Sequence, residues 1–441
     1  MDLWTNEQVL EFAHERNVSF IRLQFTDMFG MLKNIAVTVN QLEKALEGRL
    51  SLESPSISKY CRVEETDLYL RPDPSTFVVF PWRPRDGAVA RLMCDIEKAN
   101  GEPFPGCSRS ILKKVIREAE GKGYSVAISS KAKFFLFLLD EAGKPTIIPH
   151  DKGDKFDLTP LDLGENARRE IILNLEDMGF QIETSHHELA PGQHEINFKA
   201  DDLLITADGV LTYKYVTRTI VQRHGLHATF MPKPLRNTNG SGMTFRFFLF
   251  KDGKNAFVDK EKPNRRSDSL EYFIGGLLEH APALGALANP TVNSYKRLVD
   301  GDAPNIAAWS ESSRATFLRV PPSRDDTFIE WRSPDASCNP YLAIAAAVKA
   351  GLEGMEKQMV PPPPLNMDVR KLSQNEREAL KINCVPLSLG ESIMALEADP
   401  VIGETIGDYI REYYAEAKKR ELEDYLKEVH DWELQQYFNR I

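Results

Sequence analysis

A stretch of fifteen residues, from Thr184 to Phe198, places two carboxylates and three histidines around one sharp turn. It reads TSHHELAPGQHEINF, with Glu188 and Glu195 on either side of Pro191-Gly192. Because Pro-Gly interrupts regular structure, the flanking segments can fold back on each other and bring the two carboxylates together. Paired carboxylates beside imidazoles suit a hard divalent cation or an acid–base pair. A polar turn between two strands explains the same residues, so this stretch alone leaves the choice open.

Length and charge narrow the class of protein. The chain has 441 residues and a formal net charge of −10, with 42% apolar and 27% charged residues. Such a length favours two or three domains or one large enzyme fold, and the negative charge argues against a general nucleic-acid binder. No run approaches the ~20 apolar residues of a membrane span, and the first residues lack the pattern of a signal peptide. We therefore expect no nucleic-acid partner and no membrane partner.

The cysteines indicate a reducing compartment. Their number, five, is odd, and no two of them have C-x-x-C spacing. This pattern favours free thiols over a disulfide framework or a zinc site. We therefore expect a cytoplasmic protein.

Hydrophobic periodicity and turn residues divide the chain into two parts. The first hundred residues are predicted to form a small, strand-rich domain, and the segment Asn100 to Cys107, with two Gly and two Pro, is the predicted linker. Further on, Asn339-Pro340 is a strong start signal for a long helix. The pattern predicts helices at 108–122, 163–178, 209–224, 267–287 and 340–358, strands at 125–139, 227–232 and 243–250, and a loop at 289–312.

Several long motifs carry a resemblance that composition does not. They are SHHELAPGQHE at 185–195, KP at 233–234, NGSGM at 239–243, NPTVNSYKRL at 289–298 and NPYL at 339–342. With these motifs the sequence resembles, over nearly its whole length, the type I glutamine synthetases of the short kind found in Gram-positive bacteria. The resemblance implies an α+β fold with an N-terminal β-grasp domain at residues 1–102 and a larger catalytic domain with a curved antiparallel sheet at 103–441.

The same resemblance implies chemistry and partners. Members of this family form two stacked hexameric rings, and each active site lies between neighbouring subunits. They join ammonia to glutamate through a γ-glutamyl phosphate, with ATP and Mg²⁺ or Mn²⁺. For this chain the resemblance therefore implies a small-molecule substrate and a homo-oligomer, a dodecamer of two hexameric rings.

Many residues at the family's functional positions agree with it. Glu188 and Glu195 match ligands of the first metal site, and Glu330 matches a ligand of the second. Arginine suits the substrate positions because its planar fork binds carboxylate and phosphate in a bidentate way. The residues that match positions for substrate and phosphate are Asn239, Gly240, Arg297, Arg314, Arg319 and Arg332, and Asp302 stands nearest to the carboxylate of the family's glutamate flap.

Other positions depart from the family. Where the family has two metal-binding glutamates on one strand, this chain has Lys131 and Lys133, and Thr244 replaces a metal-binding histidine. Because strand side chains alternate between faces, both lysines are predicted to point into the same cleft. The latch that a neighbouring subunit offers in the family reads Glu53-Ser-Pro-Ser-Ile57 here.

These departures predict a site without metal. A unit charge pair at about 4 Å is worth ~4 kcal/mol at an effective dielectric of about 20, and replacing an attractive partner by a lysine costs roughly twice that. We therefore expect Lys131 and Lys133 to replace the metals and to pair with the glutamates. Phosphoryl transfer depends on cations that neutralise the phosphates, so we expect no cofactor and little glutamine synthesis.

Three functions are compatible with this sequence. One alternative is a non-catalytic regulatory paralogue, and another is an ATP-dependent glutamate–amine (C–N) ligase that uses Mg²⁺ or Mn²⁺ in a shifted arrangement. Cys338 is a candidate nucleophile, although a buried structural thiol explains it better. The favoured function is chemistry without metal or ATP, such as hydrolysis, on a small nitrogenous molecule, with the catalytic groups Lys131, Lys133, Glu188, Glu195, Glu330 and Asp302.

Overall fold

The computed structural model describes residues 4–53, 67–262, 264–300, 304–322, 326–367, 372–379 and 384–441. Within these ranges the chain forms two sheets, and each has an apolar core of its own. No helix of the described residues is long and apolar enough to cross a membrane.

The N-terminal part folds around the smaller sheet. Its elements are α1 (Asn6–Glu15), β1 (Val18–Thr26), β2 (Leu32–Thr38), α2 (Leu42–Leu46), β3 (Leu50–Glu53), β4 (Asp67–Pro72), β5 (Val78–Val79) and β6 (Ala88–Lys98). The strands lie in the order β2-β1-β6-β4-β3 with β5 beside β6, and β1 runs parallel to β6. Both helices bury apolar residues such as Val9 and Leu42 in the core of this sheet. The prediction of a small β-grasp domain is confirmed.

The larger part holds the remaining elements. Those up to the end of the central strands are α3 (Ser108–Gly121), β7 (Ser125–Leu139), β8 (Pro145–Pro149), α4 (Glu165–Asp177), β9 (Ile182–His187), β10 (Gln193–Phe198), β11 (Asp201–Asp202), α5 (Leu203–Arg223), β12 (Leu226–Thr229), β13 (Met243–Lys251) and β14 (Lys254–Asn255). They are followed by α6 (Asp268–Glu279), α7 (Ala281–Ala288), α8 (Val292–Leu298), β15 (Ile306–Ser310), β16 (Thr316–Arg319), β17 (Ile329–Trp331), α9 (Pro340–Glu356), α10 (Gln374–Ala379), α11 (Leu389–Ala398), α12 (Pro400–Lys427) and α13 (Asp431–Tyr437).

The large sheet is organised around the long strand β7. Its strands lie in the order β15-β16-β17-β13-β7-β10-β9, and all neighbours in this path are antiparallel except β15 and β16. Strands β8, β11 and β12 also pair with β7, and β14 pairs with β13. The predicted α+β class with a mainly antiparallel catalytic sheet is confirmed.

Alternation along β7 separates a core face from a cleft face. Ile128, Ala132 and Phe134 are buried in the main core, whereas Lys131 and Lys133, one residue out of step, are only half-buried. Because successive side chains of a strand point to opposite faces, the apolar set fixes where the lysines point. Both therefore project from the same face, as predicted.

The start of α9 ties the two parts together. Asn339 caps this helix, since its Oδ1 accepts a hydrogen bond from the Tyr341 amide at 3.1 Å. Its Nδ2 donates to the Met28 carbonyl at 3.1 Å and to Ser108 Oγ at 2.8 Å. Gly30 follows in the same turn with φ 77°, and a Cβ there would lie 2.7 Å from Asn339 Cα. The cap predicted from Asn339-Pro340 is thus confirmed, and it also holds the turn between β1 and β2.

Two helix boundaries differ from the sequence predictions. Helix α5 begins at Leu203 and not at 209, because Leu203 and Val210 both lie in the main core and the apolar face extends upstream. The predicted helix at 267–287 is two helices, α6 and α7. They meet at His280, and Pro282 lies in the first turn of α7, where its missing N–H leaves no partner unsatisfied.

The predicted loop at 289–312 contains regular structure. Helix α8 begins at a capping box in which Thr291 Oγ1 accepts from the Ser294 amide at 3.1 Å. Strand β15 follows and pairs with β16 in parallel. Both are short, which is why their periodicity is weak in the sequence.

Candidate active site

The Pro191-Gly192 turn joins β9 and β10 and folds them into an antiparallel pair. Across this pair His186 lies opposite Glu195, and Glu188 directly follows β9. His186 Nε2 lies 2.9 Å from Glu188 Oε1 and 3.8 Å from Glu195 Oε1. The ligand atoms of these three residues lie within 4.8 Å of one another. The prediction that the turn brings the two glutamates together is confirmed, and His186 completes the group.

Glu188 is buried and shared between several cations. Lys133 Nζ donates to its Oε2 at 3.0 Å, and Lys155 Nζ donates to its Oε1 at 2.6 Å. Burial raises the pKa of this carboxyl, but the hydrogen bond from His186 and the two lysines outweigh burial and hold the pKa well below its usual value. Glu188 is therefore an anion, as a cation ligand must be.

The two lysines of β7 take different environments. Lys133 lies opposite Glu195 in the pairing with β10, and Lys131 lies opposite Thr244 in the pairing with β13. Burial lowers the pKa of Lys131, and the nearby guanidinium of Arg246 lowers it further. Of these two lysines, Lys133 forms the ion pair with Glu188 that the sequence predicted.

Lys155 is a site residue that sequence reasoning missed. It lies in the loop between β8 and α4, which carries no periodicity and matched no quoted motif. Its ammonium reaches Glu188 across 33 positions of the chain, a contact that only the tertiary fold creates.

Glu330 is held by arginines and not by the lysines. On β17 its carboxylate accepts from Arg246 Nε at 3.2 Å, from Arg319 Nη1 at 3.2 Å and from Arg332 Nη1 at 3.3 Å. Burial raises the pKa of Glu330, and the three guanidinium groups overcome this and lower it. The expected pairing of Glu330 with Lys131 or Lys133 is therefore wrong, because β17 and β16 bring arginines closer.

These groups surround one cavity of about 500 Å³. Predicted site residues that line it are Lys131, Lys133, Glu188, Glu195, Asn239, Gly240, Arg297, Arg314 and Arg332. Lys155, Lys233 and Asp300 line it as well, so seven cationic side chains face three carboxylates. Such an excess of positive charge suits an anionic substrate. Arg319 and Glu330 are not among the lining residues. Glu330 accepts a hydrogen bond from Arg332, which does line the cavity, and another from Arg319.

Close packing shapes the end of the cavity beside Arg297. Arg297 is buried and its Nη2 donates to the carbonyls of Ser333 and Pro334. A Cβ on Gly240 would lie 2.8 Å from Arg297 Cγ and 2.5 Å from the Pro232 carbonyl oxygen, so only glycine lets this loop approach the arginine. Gly240, which follows Asn239, therefore lies beside Arg297.

Three further predictions fall elsewhere. Asp302, and residues 54–57 of the latch segment, lie outside the described residues. Cys338 is fully buried, and burial raises the pKa of its thiol. A buried, protonated thiol is a packing group, which agrees with the structural explanation for this residue.

The chain matches two family models: glutamine synthetase, beta-Grasp domain, at residues 17–99, and glutamine synthetase, catalytic domain, at residues 105–437. It is 46% identical over 442 residues to a glutamine synthetase of Clostridium saccharobutylicum, covering 100% of both chains. It is also 46% identical over 440 residues to one of Staphylococcus epidermidis, covering 99% of both.

Solved structures agree. One described as "GmaS/ADP complex-Conformation 1" has a TM-score of 0.88 at 30% identity, covering 98% of this chain and 99% of that one. A cryo-EM structure of Plasmodium falciparum glutamine synthetase has a TM-score of 0.88 at 26% identity, covering 99% of both chains.

These findings overturn the expectation of chemistry without ATP or metal. Relatives matched over their full length are named glutamine synthetase, and His186, Glu188 and Glu195 form a candidate metal cluster. The predictions of a hydrolase, of lost metal binding and of no cofactor are therefore wrong. The electrostatic argument for these predictions did not include His186 as a metal ligand. It also treated Lys133 as immobile, although the side chain of Lys133 is 25% exposed. The alternative of an ATP-dependent ligase agrees better.

Proposed function

This chain belongs to the glutamine synthetase family, and from that premise we propose that it is an ATP-dependent ligase that joins the γ-carboxylate of glutamate to ammonia or a small amine. The observation that carries the proposal is the composition of the cavity. Glu188 and Glu195 of the candidate metal cluster and seven cationic side chains face one space of about 500 Å³. A nucleotide and a dicarboxylate are both polyanions, and such a lining would bind them together.

The residues that would hold a divalent cation are His186, Glu188 and Glu195. Two carboxylates and one imidazole suit Mn²⁺ and, with water ligands, Mg²⁺, so this donor set fits once the proton that His186 Nε2 donates to Glu188 moves to Nδ1. When bound, the cation supplies charge neutralisation for the phosphates. The ammonium groups of Lys133 and Lys155 now hold Glu188, and both are partly exposed, so they can turn toward an anionic substrate.

In this proposal the arginines of the cavity bind two kinds of anion, carboxylates and a phosphoryl group. Arg297 and Arg332 would bind the carboxylates of glutamate, and Arg314 would bind the transferred phosphoryl group. Glu330 orients Arg332 and Arg319 through hydrogen bonds of 3.3 and 3.2 Å. A guanidinium fixed in this way needs little further ordering when the anion arrives.

Lys131 and Lys133 add positive charge where the resemblance implies metal-binding glutamates. Phosphoryl transfer requires that cations offset the charge of the phosphates, and an ammonium can serve as one of them. We propose that this chain is in this respect a divergent member of its family, in which lysines share the neutralisation with the bound metal.

The test measures ATP-dependent product formation by the full-length protein. With ATP, glutamate, Mg²⁺ or Mn²⁺, and either ammonia or methylamine, we expect ADP and a γ-glutamyl amide in equal amounts. Glu195→Gln should abolish both, because it removes a carboxylate of the cluster. Glu176→Gln is the matched control, since this glutamate is exposed on α4. If neither amine yields ATP-dependent product, the ligase proposal fails.

Assembly, domain boundary and location stay proposals. Twelve chains of 49.9 kDa would give about 600 kDa, which light scattering after size exclusion would measure. A division at 102/103 agrees with the two matched ranges, 17–99 and 105–437. A cytoplasmic location is supported by the free thiols Cys94, Cys107, Cys338 and Cys384.

A further inference from the structure

A second group of ligand-bearing side chains lies beside the Pro191-Gly192 turn. Asp151, Asp162, His187 and His194 are all buried, and each places a ligand atom within 4.8 Å of the others. None of the four lines the candidate active-site cavity. Their exposed fractions do not exceed 5%, so whatever they bind is enclosed.

Two of these residues hold the turn that carries Glu188. Asp151 Oδ1 accepts from the Gly192 amide at 2.8 Å and from His187 Nε2 at 2.9 Å. His187 Nδ1 in turn donates to the Glu188 carbonyl at 2.7 Å. These hydrogen bonds therefore hold the backbone at Gly192, in the turn, and at Glu188, whose carboxylate belongs to the candidate metal cluster.

Three polar atoms of the group lack a partner among the residues that the structure describes. They are Asp151 Oδ2, Asp162 Oδ1 and His194 Nε2, and all are inaccessible to solvent. His194 Nε2 lies 4.0 Å from Asp151 Oδ2, too far for a direct hydrogen bond. Buried polar atoms are normally satisfied, and three in one place indicate a bound small ligand.

Hydrogen-bond polarity decides between a metal and a water. Arg168 can only donate, and its Nη1 lies 2.9 Å from His194 Nδ1, so Nδ1 accepts. In the neutral ring Nε2 then carries the proton and points its N–H into the group. A metal ion would need a lone pair at Nε2, and a water molecule needs the N–H.

The charges of the group are already balanced. Arg168 Nη2 pairs with Asp162 Oδ2 at 2.8 Å. Both nitrogens of His187 face atoms that can only accept, the Asp151 carboxylate and the Glu188 carbonyl, so His187 carries both protons. Two anions thus meet two cations, and an added divalent cation would stay uncompensated in an enclosed space. A neutral ligand adds no uncompensated charge and therefore avoids this energetic cost.

Glycine lets the backbone approach the two imidazoles closely. A Cβ on Gly164 would lie 2.5 Å from His194 Nε2, and one on Gly153 would lie 2.9 Å from His187 Nε2. At Gly164 the backbone has φ −82°, which any residue adopts. An alanine at 164 would therefore push the His194 ring aside without straining its own backbone.

We propose that this group binds one water molecule and no metal, and that it is the positioning device for Glu188. The water accepts from His194 Nε2 and donates to Asp151 Oδ2 and Asp162 Oδ1, the three hydrogen bonds typical of an internal water. The positioning role rests on the proposed metal-binding function of Glu188, and the water site does not.

Diffraction tests the water site. Crystals of the full-length protein grown with MnCl₂ should show, at a resolution of about 1.8 Å or better, one density peak within hydrogen-bond distance of the three atoms. That peak should give no anomalous signal at the manganese edge. An anomalous peak at this place, or no density there at all, overturns the assignment.

Metal affinity tests the positioning role. Asp151→Asn should weaken Mn²⁺ binding by a factor of roughly 10 to 100 in calorimetry, as is typical when the support of a metal ligand is lost. Gly164→Ala provides a second variant, which displaces the His194 ring and with it the N–H that holds the water, without removing any charge. Asp177→Asn, exposed on α4, is the matched control and should bind Mn²⁺ like the unaltered protein.

The outcomes separate the two proposals. A purely structural role would lower the unfolding midpoint and leave the Mn²⁺ affinity of the folded protein unchanged, so unchanged affinity in both variants overturns the positioning role. If the unaltered protein itself binds no Mn²⁺, the proposed metal site fails and the positioning role with it, while diffraction still decides the water.

Discussion

At the scale of single residues, the buried carboxylate of Glu188 accepts hydrogen bonds from three side chains at once. Its two oxygens accept from Lys155, Lys133 and His186 at 2.6, 3.0 and 2.9 Å, and the side chain is 2% exposed. The same oxygens are the ones that a divalent cation would need. In the proposed function a divalent cation would therefore compete with two ammonium groups, and its affinity would depend on how easily these leave.

Lys133→Met tests this competition. The substitution removes the ammonium group that lies 3.0 Å from Glu188. It frees a carboxylate oxygen and removes one unit of positive charge, so we expect the affinity for Mn²⁺ to rise. The gain should be about tenfold, since the lysine is 25% exposed and its interaction is partly screened. Calorimetry with Mn²⁺ measures it.

Lys349→Met serves as the control, because Lys349 pairs with Glu118 at 2.7 Å and does not line the cavity. Equal affinities for Mn²⁺ in Lys133→Met and the control would mean that Lys133 does not compete with metal.

At the scale of elements, the junction of α6 and α7 depends on one histidine. His280 Nδ1 lies 2.7 Å from Asp399 Oδ2, and its Nε2 lies 2.5 Å from Glu353 Oε2. Burial lowers the pKa of His280, but the hydrogen bonds and charges of the two carboxylates outweigh burial and raise it. The charged ring thus connects this junction with α9 and the start of α12.

The sign of the pH dependence follows from this shift. A raised pKa in the folded state gives stability that is complete below the unfolded pKa of about 6.5 and is lost as pH rises through the folded pKa. We expect the free energy of unfolding to be higher at pH 6 than at pH 9 from this group, while Asp399 and Glu353 stay ionised. Urea unfolding at fixed protein concentration measures it.

His280→Gln should remove this difference between the two pH values. His224→Gln is its control, since His224 also pairs with a glutamate, Glu170, at 2.7 Å but lies near the surface. A pH dependence that persists unchanged in His280→Gln would contradict the assignment.

A second element-level prediction concerns the start of α9. Asn339→Ala removes the cap and also the hydrogen bonds to Met28 and Ser108, so we expect a loss of about 2–4 kcal/mol in the free energy of unfolding. Ser388→Ala, which removes only a cap of α11, should cost about 1 kcal/mol. Equal losses in denaturant unfolding would show that the Asn339 contacts to the β-grasp part contribute nothing.

At the scale of the whole molecule, one buried arginine joins the two parts. Arg109 on α3 is 2% exposed and contacts Asp73 at 2.8 Å, Asp95 at 3.2 Å and Asp208 at 2.9 Å. Asp73 and Asp95 belong to the N-terminal part, and Asp208 lies on α5. The pKa of Asp73 is lowered to about 2 because Arg109 and nearby donors outweigh its burial. The relative placement of the two parts is thus secured by charge as well as by apolar packing.

Arg109→Met should therefore be strongly destabilising. It leaves three carboxylates near one another without their common cation, and we expect the free energy of unfolding to fall by about 3–5 kcal/mol. Arg117→Met, exposed on the same helix, should change it by less than about 0.5 kcal/mol. A small effect of Arg109→Met in denaturant unfolding would mean that apolar contacts alone hold the parts together.

Much of the fold could be predicted, because the signals that specify it lie within short stretches of the sequence. The alternation of β7, the cap at Asn339 and the Pro191-Gly192 turn each act within a few residues of sequence. Short elements such as α8 and β15 were missed because five to seven residues carry little periodicity. The pairing of His280 with Glu353 and Asp399 was missed because these carboxylates lie 73 and 119 positions away.

The sequence by itself determined the family, the two-part architecture, and the meeting of Glu188 with Glu195, since a turn signal and strand alternation require no knowledge of distant segments. The tertiary structure decided which charges meet. Lys155 reaches Glu188 from an irregular loop, and Glu330 pairs with arginines of neighbouring strands. Charge pairs depend on the inverse of a distance between groups far apart in the chain, and only the folded arrangement sets that distance.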